Sequence, residues 1–384
     1  MLINDPVELE AWLTWLRAPG IGDRELRALV TREGGAYPAL RAALAAPAAF
    51  GLSARTQAAL RAPDAGLLAR ERAWLAQPGH AVVTFDDPDY PALLGQSPHA
   101  PAALFVAGQV ELLSLPAIAI VGSRNATPTG LAHARDFARA LCASGLGIVS
   151  GLALGADAAA HEAALGCGGR TIAVCATGLD RVYPERHRAL AERIAREGAL
   201  VSEFPLGTPA RAPHFPRRNR IIAALALGTL VVEASLRSGS LITARLAAES
   251  GREVFALPGS LQNPLARGCH RLIRDGATLV ECAGDVLEQL RPLVAGLRAE
   301  LDADEPDAQP GDAPSGTNAD PPADAEARRL LAALGHDPVT VDEAAARSGV
   351  PIARLAALLP LLELEGLVEC LAGARYARVR GRAR

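Results

Sequence analysis

Apolar positions change period along the chain, and each period predicts a different kind of element. Up to about residue 79 they recur at helical spacing, with Trp12, Leu13, Trp15 and Leu16 on one stripe. The stretch Ala18-Pro-Gly-Ile-Gly-Asp-Arg-Glu-Leu-Arg-Ala-Leu-Val30 follows. A Gly-x-Gly hairpin before an Asp-capped amphipathic helix is a helix-hairpin-helix pattern. The backbone N–H groups at such a helix start can hold a phosphate; an ordinary turn between two helices has the same spacing. From residue 80 to 296 short β-rich runs alternate with amphipathic segments of helical length. The predicted strands are Ala81–Phe85, Leu104–Ala107, Ala117–Val121, Gly147–Ser150, Thr171–Ala176, Leu200–Glu203, Thr229–Glu233, Glu253–Leu257 and Thr278–Val280. From Ala117 on, nearly every run is uninterruptedly apolar, as strands buried on both faces are. The alternation predicts an α/β fold with a doubly wound, mostly parallel sheet.

Periodicity is lost from residue 297 to 323, a stretch rich in Asp, Pro, Ala and Gly that cannot bury enough apolar area to offset its ordering entropy. A disordered linker is expected there. The last segment, 324 to 384, predicts a helix over Ala325–Leu334, a second over Asp342–Arg347, a turn at Ser348-Gly-Val-Pro351 and a longer helix to Glu365. Two wing strands, at Gly366-Leu-Val-Glu and Arg375–Val379, complete an order of elements that resembles a winged helix.

Composition adds three constraints. The chain has 384 residues, half of them hydrophobic, which is ample for sizeable cores. Its net charge of −3 excludes a uniformly basic protein, but residues 299 to 326 hold nine acids and no Arg, which leaves +6 for the rest. The 39 basic residues are all Arg; without Lys there is no Walker A lysine, Schiff base or lysine general base. Six cysteines at spacings that suit neither zinc nor a disulfide scaffold are expected to be buried thiols in a reducing compartment. No signal peptide and no membrane span are seen, so a soluble cytoplasmic protein is expected, with no metal and no cofactor.

In an open parallel sheet, ligands bind beyond the carboxyl ends of the strands. After Ala117–Val121 comes Gly122-Ser-Arg-Asn-Ala-Thr127-Pro128, which offers hydroxyls on Ser123 and Thr127, the Arg124 fork and a helix start. Such a set fits a phosphate. After the next strand, Asp157 and His161 share a helix face, either as an acid–base pair or as a cap and a satisfied core histidine. Arg211-Ala-Pro-His-Phe215-Pro-Arg217-Arg218-Asn219-Arg220 is the densest basic cluster. Arginines at a helix start oppose the helix dipole, a conflict that a ligand's anion would relieve. An aromatic among them suits a base stacked beside backbone phosphates. Ser238-Gly239-Ser240 forms a second anion nest and Pro258-Gly259 a third loop. Several such loops on one rim favour an extended anionic ligand. The alternatives are a nucleotide hydrolase or phosphoribohydrolase using Glu203 or Glu233, and an adaptor whose rim binds only protein.

Taken together the motifs resemble the DprA (Smf) family of DNA-processing proteins of bacterial transformation. The resemblance rests on Tyr90-Pro-Ala-Leu-Leu, Leu104-Phe-Val-Ala-Gly108, Gly122-Ser-Arg, Ser150-Gly-x-Ala-x-Gly-x-Asp-x-x-Ala-His161, Gly178-Leu-Asp-x-x-Tyr-Pro184 and Ser202-Glu-x-Pro. It continues through Phe215-Pro-x-Arg-Asn-Arg-Ile-Ile222, Val231-Val-Glu-Ala, Ser238-Gly-Ser-Leu-Ile-Thr-Ala244 and Gly251-Arg-x-Val-Phe-Ala-x-Pro-Gly259. It implies a helical SAM-like domain over 1–79, an extended Rossmann-like domain over 80–296, the linker 297–323 and a winged helix with a basic tail over 324–384. It further implies a non-enzymatic homodimer that binds and shields incoming single-stranded DNA and helps load the RecA recombinase. The DNA site carried over is Gly122, Ser123, Arg124, Thr127, Phe215, Arg217, Arg218, Asn219, Arg220, Ser238, Gly239 and Ser240. His187 and His270 stand where the family commonly has Asn. The longer winged-helix helix carries one Arg and ends in acids, whereas the tail from Arg375 holds five Arg. A protein-binding role for that domain is as well supported as a DNA-binding one.

Overall fold

A computed structural model describes residues 5–291, 325–334, 339–350 and parts of 355–378. The expected linker 297–323, most of the helix over 351–365 and the end of the basic tail lie outside the described residues.

Five helices open the chain: α1 (Pro6–Arg17), α2 (Asp23–Glu33), α3 (Ala36–Ala45), α4 (Ala54–Arg61) and α5 (Ala65–Leu75). Asp5 caps α1 by accepting the Val7 N–H at 2.9 Å, with Pro6 in the first turn, where its missing N–H costs nothing. The stripe read from the sequence is the core: Trp12 and Trp15 are each 1% exposed, and the Trp15 indole donates to the Ala36 carbonyl at 3.1 Å. Truncating either Trp to Ala would cost about 3–5 kcal/mol.

Nine strands follow: β1 (His80–Thr84), β2 (Ala103–Gly108), β3 (Ala117–Val121), β4 (Gly147–Ser150), β5 (Thr171–Val174), β6 (Ala199–Ser202), β7 (Gly228–Val231), β8 (Glu253–Ala256) and β9 (Thr278–Leu279). They form one sheet in the order β1-β2-β6-β5-β4-β3-β7-β8-β9. The seven strands from β3 on pair in parallel, and β2 is antiparallel to both β1 and β6. All nine predicted strands are present, their ends shifted by a residue or two at most. β3, β4, β5 and β7 are buried throughout, which is why they read as unbroken apolar runs. The intervening helices are α6 (Ala92–Gly95), α7 (Pro128–Ala143), α8 (Ala156–Gly166), α9 (Arg188–Glu197), α10 (His214–Leu225), α11 (Ser240–Glu249) and α12 (Arg267–Arg274).

The first five helices share their core with one flank of this sheet. Trp12 meets Phe85 edge-on at 5.9 Å, and Leu13 and Leu68 pack with Val82, Ala103 and Phe105. Arg17 binds the fully buried Glu71 through two hydrogen bonds of 2.9 and 2.7 Å, and Glu71 also accepts the Leu206 N–H. Asp23 corrects the expected hairpin. Gly22 holds the cap position of α2, and the Asp23 carboxylate reaches across to accept the Ala102 N–H at 3.1 Å. Its side chain serves contact with the sheet domain instead of the helix end.

The C-terminal unit has helices over Ala325–Ala333 and Val341–Ser348 and an antiparallel sheet ordered Val339–Thr340, Arg375–Arg378, Val368–Leu371. Thr340 and Glu343 form a reciprocal capping box at the second helix. Leu330, Leu355, Leu359 and Leu362 are in its core. The five described cysteines are unbridged, but only Cys269 is buried; Cys167 and Cys282 are exposed, contrary to the expectation of buried thiols. Cys167 directly follows the end of α8 and Cys282 lies just past β9, and burial at such ends is not set by composition.

Candidate nucleic-acid interface

The chain winds from β3 outward through β4, β5 and β6, then returns to place β7 on the other side of β3. The connections leaving β3 and β7 therefore diverge, and a crevice must open beyond their carboxyl ends. A cavity of about 700 Å³ lies there. Its walls come from the loop Gly122–Asn125, the start of α8, Tyr183, α10 and the Ser238–Ser240 turn.

Glycines let these pieces approach. Gly155 has φ +82°, and a side chain there would collide with the Ser123 carbonyl, which accepts the Ala156 N–H at 3.3 Å. A methyl on Gly151 would occupy the place of the Arg218 guanidinium. The motif Ser150-Gly-x-Ala-x-Gly thus sets the spacing between two loops and a buried cation.

Arg124 is exposed at the mouth, and its guanidinium carbon lies 5.2 Å from the centre of the half-buried Phe215 ring. Tyr183, 49% exposed, tilts against the other aromatic with ring centres 5.3 Å apart. Arg218 lines the cavity although it is only 4% exposed; its Nη1 donates to the carbonyls of Gly151 and Val174. Burial, with Arg124 nearby, pushes the Arg218 pKa down, and Asp157 offsets part of this. A guanidinium stays protonated under such conditions. Across the crevice the Ser238 and Ser240 hydroxyls are 2.6 Å apart, and Asn219 Nδ2 donates to the Gly239 carbonyl at 3.3 Å. The Ser123 hydroxyl accepts the Asn125 N–H at 3.1 Å. Two cations, hydroxyls and two aromatic rings therefore face one volume, a combination suited to phosphates and bases together.

Three of the expected residues lie elsewhere. Thr127 gives both its N–H and its hydroxyl to Glu233, at 2.8 and 2.7 Å, so this carboxylate braces the start of α7. Glu233 also accepts from Asn263 at 3.1 Å. Arg217 and Arg220 point away from the cavity, toward Glu203 and Asp23. At the start of α10 the charges of these two arginines are met by two carboxylates. Helical phase explains the split: residues 215, 218, 219 and 222 share one face, and 217 and 220 fall off it.

Asp157 and His161 are not an acid–base pair. Asp157 accepts the N–H groups of Gly151 and Ala153 at 3.1 and 3.3 Å, and burial raises its pKa against the pull of Arg218. The fully buried His161 meets the Thr171 hydroxyl at 2.7 Å, and burial, with the Arg218 charge, pushes it down to about 3. Glu203 and Glu233, the carboxylates named for the hydrolase alternative, are both engaged in bracing contacts and do not line the cavity. Among the described residues no group of three or more His, Cys, Asp or Glu could hold a metal ion, and no helix is long and apolar enough to cross a membrane.

Sequence reasoning missed Tyr183. It stands 32 residues before Phe215, and its only signal is an exposed aromatic in the Gly178-Leu-Asp-x-x-Tyr-Pro184 motif. The two histidine departures are accommodated locally. His187 Nδ1 lies 2.9 Å from the carbonyl of Leu152, a non-glycine at φ 57°, and His270 Nε2 lies 3.0 Å from the Gly259 carbonyl.

The family profile of DNA recombination-mediator protein A matches residues 81–291, and that of the DprA winged helix domain matches 313–374. Protein Smf of Escherichia coli (strain K12) is 44% identical over 313 residues, which span 80% of this chain and 79% of that one. DNA processing protein DprA of Streptococcus pneumoniae (strain ATCC BAA-255 / R6) is 47% identical over 203 residues, 53% of this chain and 72% of its own. The X-ray structure of DNA processing protein A from Streptococcus pneumoniae superposes with a TM-score of 0.65 at 35% identity, covering 75% of this chain and 98% of that one.

Proposed function

The chain belongs to the DNA recombination-mediator protein A (DprA/Smf) family, and from that premise we propose that it binds single-stranded DNA without sequence preference and without catalysis. The observation that carries the reading is the convergence of Arg124, Phe215 and Arg218 on one cavity at the sheet's switch point. Phosphates sit against Arg124, Arg218, the Gly122–Ser123 loop and the Ser238-Gly239-Ser240 turn beside Asn219. A base stacks on Phe215 or Tyr183. Duplex DNA keeps its bases stacked on one another, so it cannot supply the second half of this interaction.

Fluorescence anisotropy with a short oligo-dT and the matching duplex, at two salt concentrations, tests the reading. Binding should favour the single strand and weaken with salt, with a slope of about −0.7 per phosphate contact. Equal affinity for the duplex, or salt-independent binding, overturns it. Turnover of a nucleoside monophosphate, lost in Glu233→Gln, would support the hydrolase alternative instead.

Shielding of the strand and its transfer to the RecA recombinase are proposed on the family resemblance. RecA filament growth on oligo-dT coated with a single-strand-binding protein should accelerate when this chain is added. A homodimer is proposed on the same footing. The second copy is assigned to the apolar face around the outermost strand β9, where Leu236, Leu261 and Leu279 are exposed beside α12.

A further inference from the structure

Helix α10 has work on two sides. Its cavity face carries Phe215, Arg218 and Asn219. On the other side Arg217 and Arg220 meet two carboxylates from distant parts of the chain: Glu203, just past β6, and Asp23, the first residue of α2. Glu203 Oε2 accepts from Arg217 Nε at 2.8 Å and also from Arg220. Asp23 Oδ2 accepts from Arg217 at 3.2 Å and from Arg220 at 3.1 Å, while its other oxygen holds the Ala102 N–H. Two cations and two anions thus close a neutral cluster that ties the helical domain to α10.

Beside this cluster, His214 in the first turn of α10 stacks on Phe204 with ring centres 4.3 Å apart and meets the Ala176 carbonyl at 3.3 Å, but the helix has no cap of its own. Pro213 at the cap position provides no side-chain hydrogen bond, Pro216 has no N–H, and no acid lies in the first turn. The Glu203 side chain is 1% exposed and, among the described residues, its Oε1 has no hydrogen-bond partner, so its charge is balanced by these guanidinium groups. Phe215 and Arg218 stand within two residues of Arg217. With side chains 5–6 Å from a helix axis, a 10° rotation of α10 would move their ends by about 1 Å.

We infer that Asp23 is a positioning residue for the DNA site: without touching the strand, it fixes the rotation of α10 through Arg217 and Arg220. The inference rests on the single-stranded DNA reading and adds the N-terminal helical domain to the binding device.

Asp23→Asn tests it, because Asn retains an oxygen for the Ala102 N–H and removes the charge. The Kd for oligo-dT should rise about three- to tenfold, the size of one partly buried ion pair. The salt slope should equal that of the unaltered protein, since no phosphate contact is lost. Quenching of a 2-aminopurine base in the oligonucleotide, which reports stacking, should fall at saturation. Asp23→Glu should recover part of both losses. Unchanged affinity overturns the inference. So does tighter binding with a steeper slope, which would make Asp23 a restraint on two phosphate-binding arginines. If Asp23→Asn melts early, Arg217→Gln is read by the same measures, and a shallower slope there, marking a direct phosphate contact, overturns it equally. A chain that fails to bind oligo-dT before any substitution defeats the functional reading itself.

Discussion

Removing the Arg124 guanidinium with Arg124→Ala gives the sharpest test of the interface. The side chain is exposed in the loop after β3, so folding should be unaffected. Its guanidinium stands 5.2 Å from the Phe215 ring centre, at the mouth of the cavity, where it can meet a phosphate while the ring meets a base. A charge-assisted hydrogen bond contributes about 1.5–3 kcal/mol, and exposure brings the expected loss to about 1–2 kcal/mol. That is about a 5–30-fold weaker Kd near 0.15 M salt. One fewer phosphate contact also flattens the plot of log Kd against log salt by about 0.7. The ratio of variant to unaltered Kd should therefore shrink about fivefold between 0.05 and 0.5 M salt. Anisotropy titrations with labelled oligo-dT across that range measure both quantities, with circular dichroism as the check on folding. Parallel lines, or an unchanged Kd with a normal spectrum, would refute the placement of a phosphate at Arg124.

Phe215→Ala should weaken oligo-dT binding by about 1–3 kcal/mol with the salt slope intact, which separates stacking from charge in the same titration. His161 predicts a pH dependence. It titrates near 6.5 in the unfolded chain and is pushed down to about 3 by burial, so the unfolded state binds the extra proton between those values. Stability should fall as pH drops through that window, by about 2–3 kcal/mol from pH 7 to 4.5, and His161→Gln should lose this component; superimposable urea-stability profiles for the two proteins would refute it. Leu261→Glu, at a residue 76% exposed on the face beside β9, should shift the mass measured by light scattering from dimer to monomer; a persisting dimer places the interface elsewhere.

Much of the architecture was legible because it rests on local chemistry. Strands buried on both faces had to be apolar throughout, and loops that cradle anions had to carry glycine and hydroxyls where β3 and β7 end. What escaped was set by partners far away in sequence. The sheet order, which decides that the loops after β3 and β7 face one crevice, is not written in any single segment. The four basic residues from Arg211 to Arg220 looked like one patch, yet the phase of α10 sends Arg218 inward and Arg217 and Arg220 outward. Their carboxylate partners include Asp23, nearly 200 positions earlier, whose sequence context suggested only a helix cap. Tyr183 reaches Phe215 through a loop whose path no periodicity predicts.

The shared packing of Trp12, Leu13 and Leu68 with Phe85, Val82 and Phe105 makes the first five helices a wall of the β1–β2 flank and not a detachable module. A shortened protein starting near residue 80 would bare that greasy surface to water. Any loss of activity after such a deletion would then report clumping and a distorted crevice, and it would say nothing about whether the missing helices bind a partner. Point substitutions at the seam are the cleaner tool for dissecting what those helices contribute.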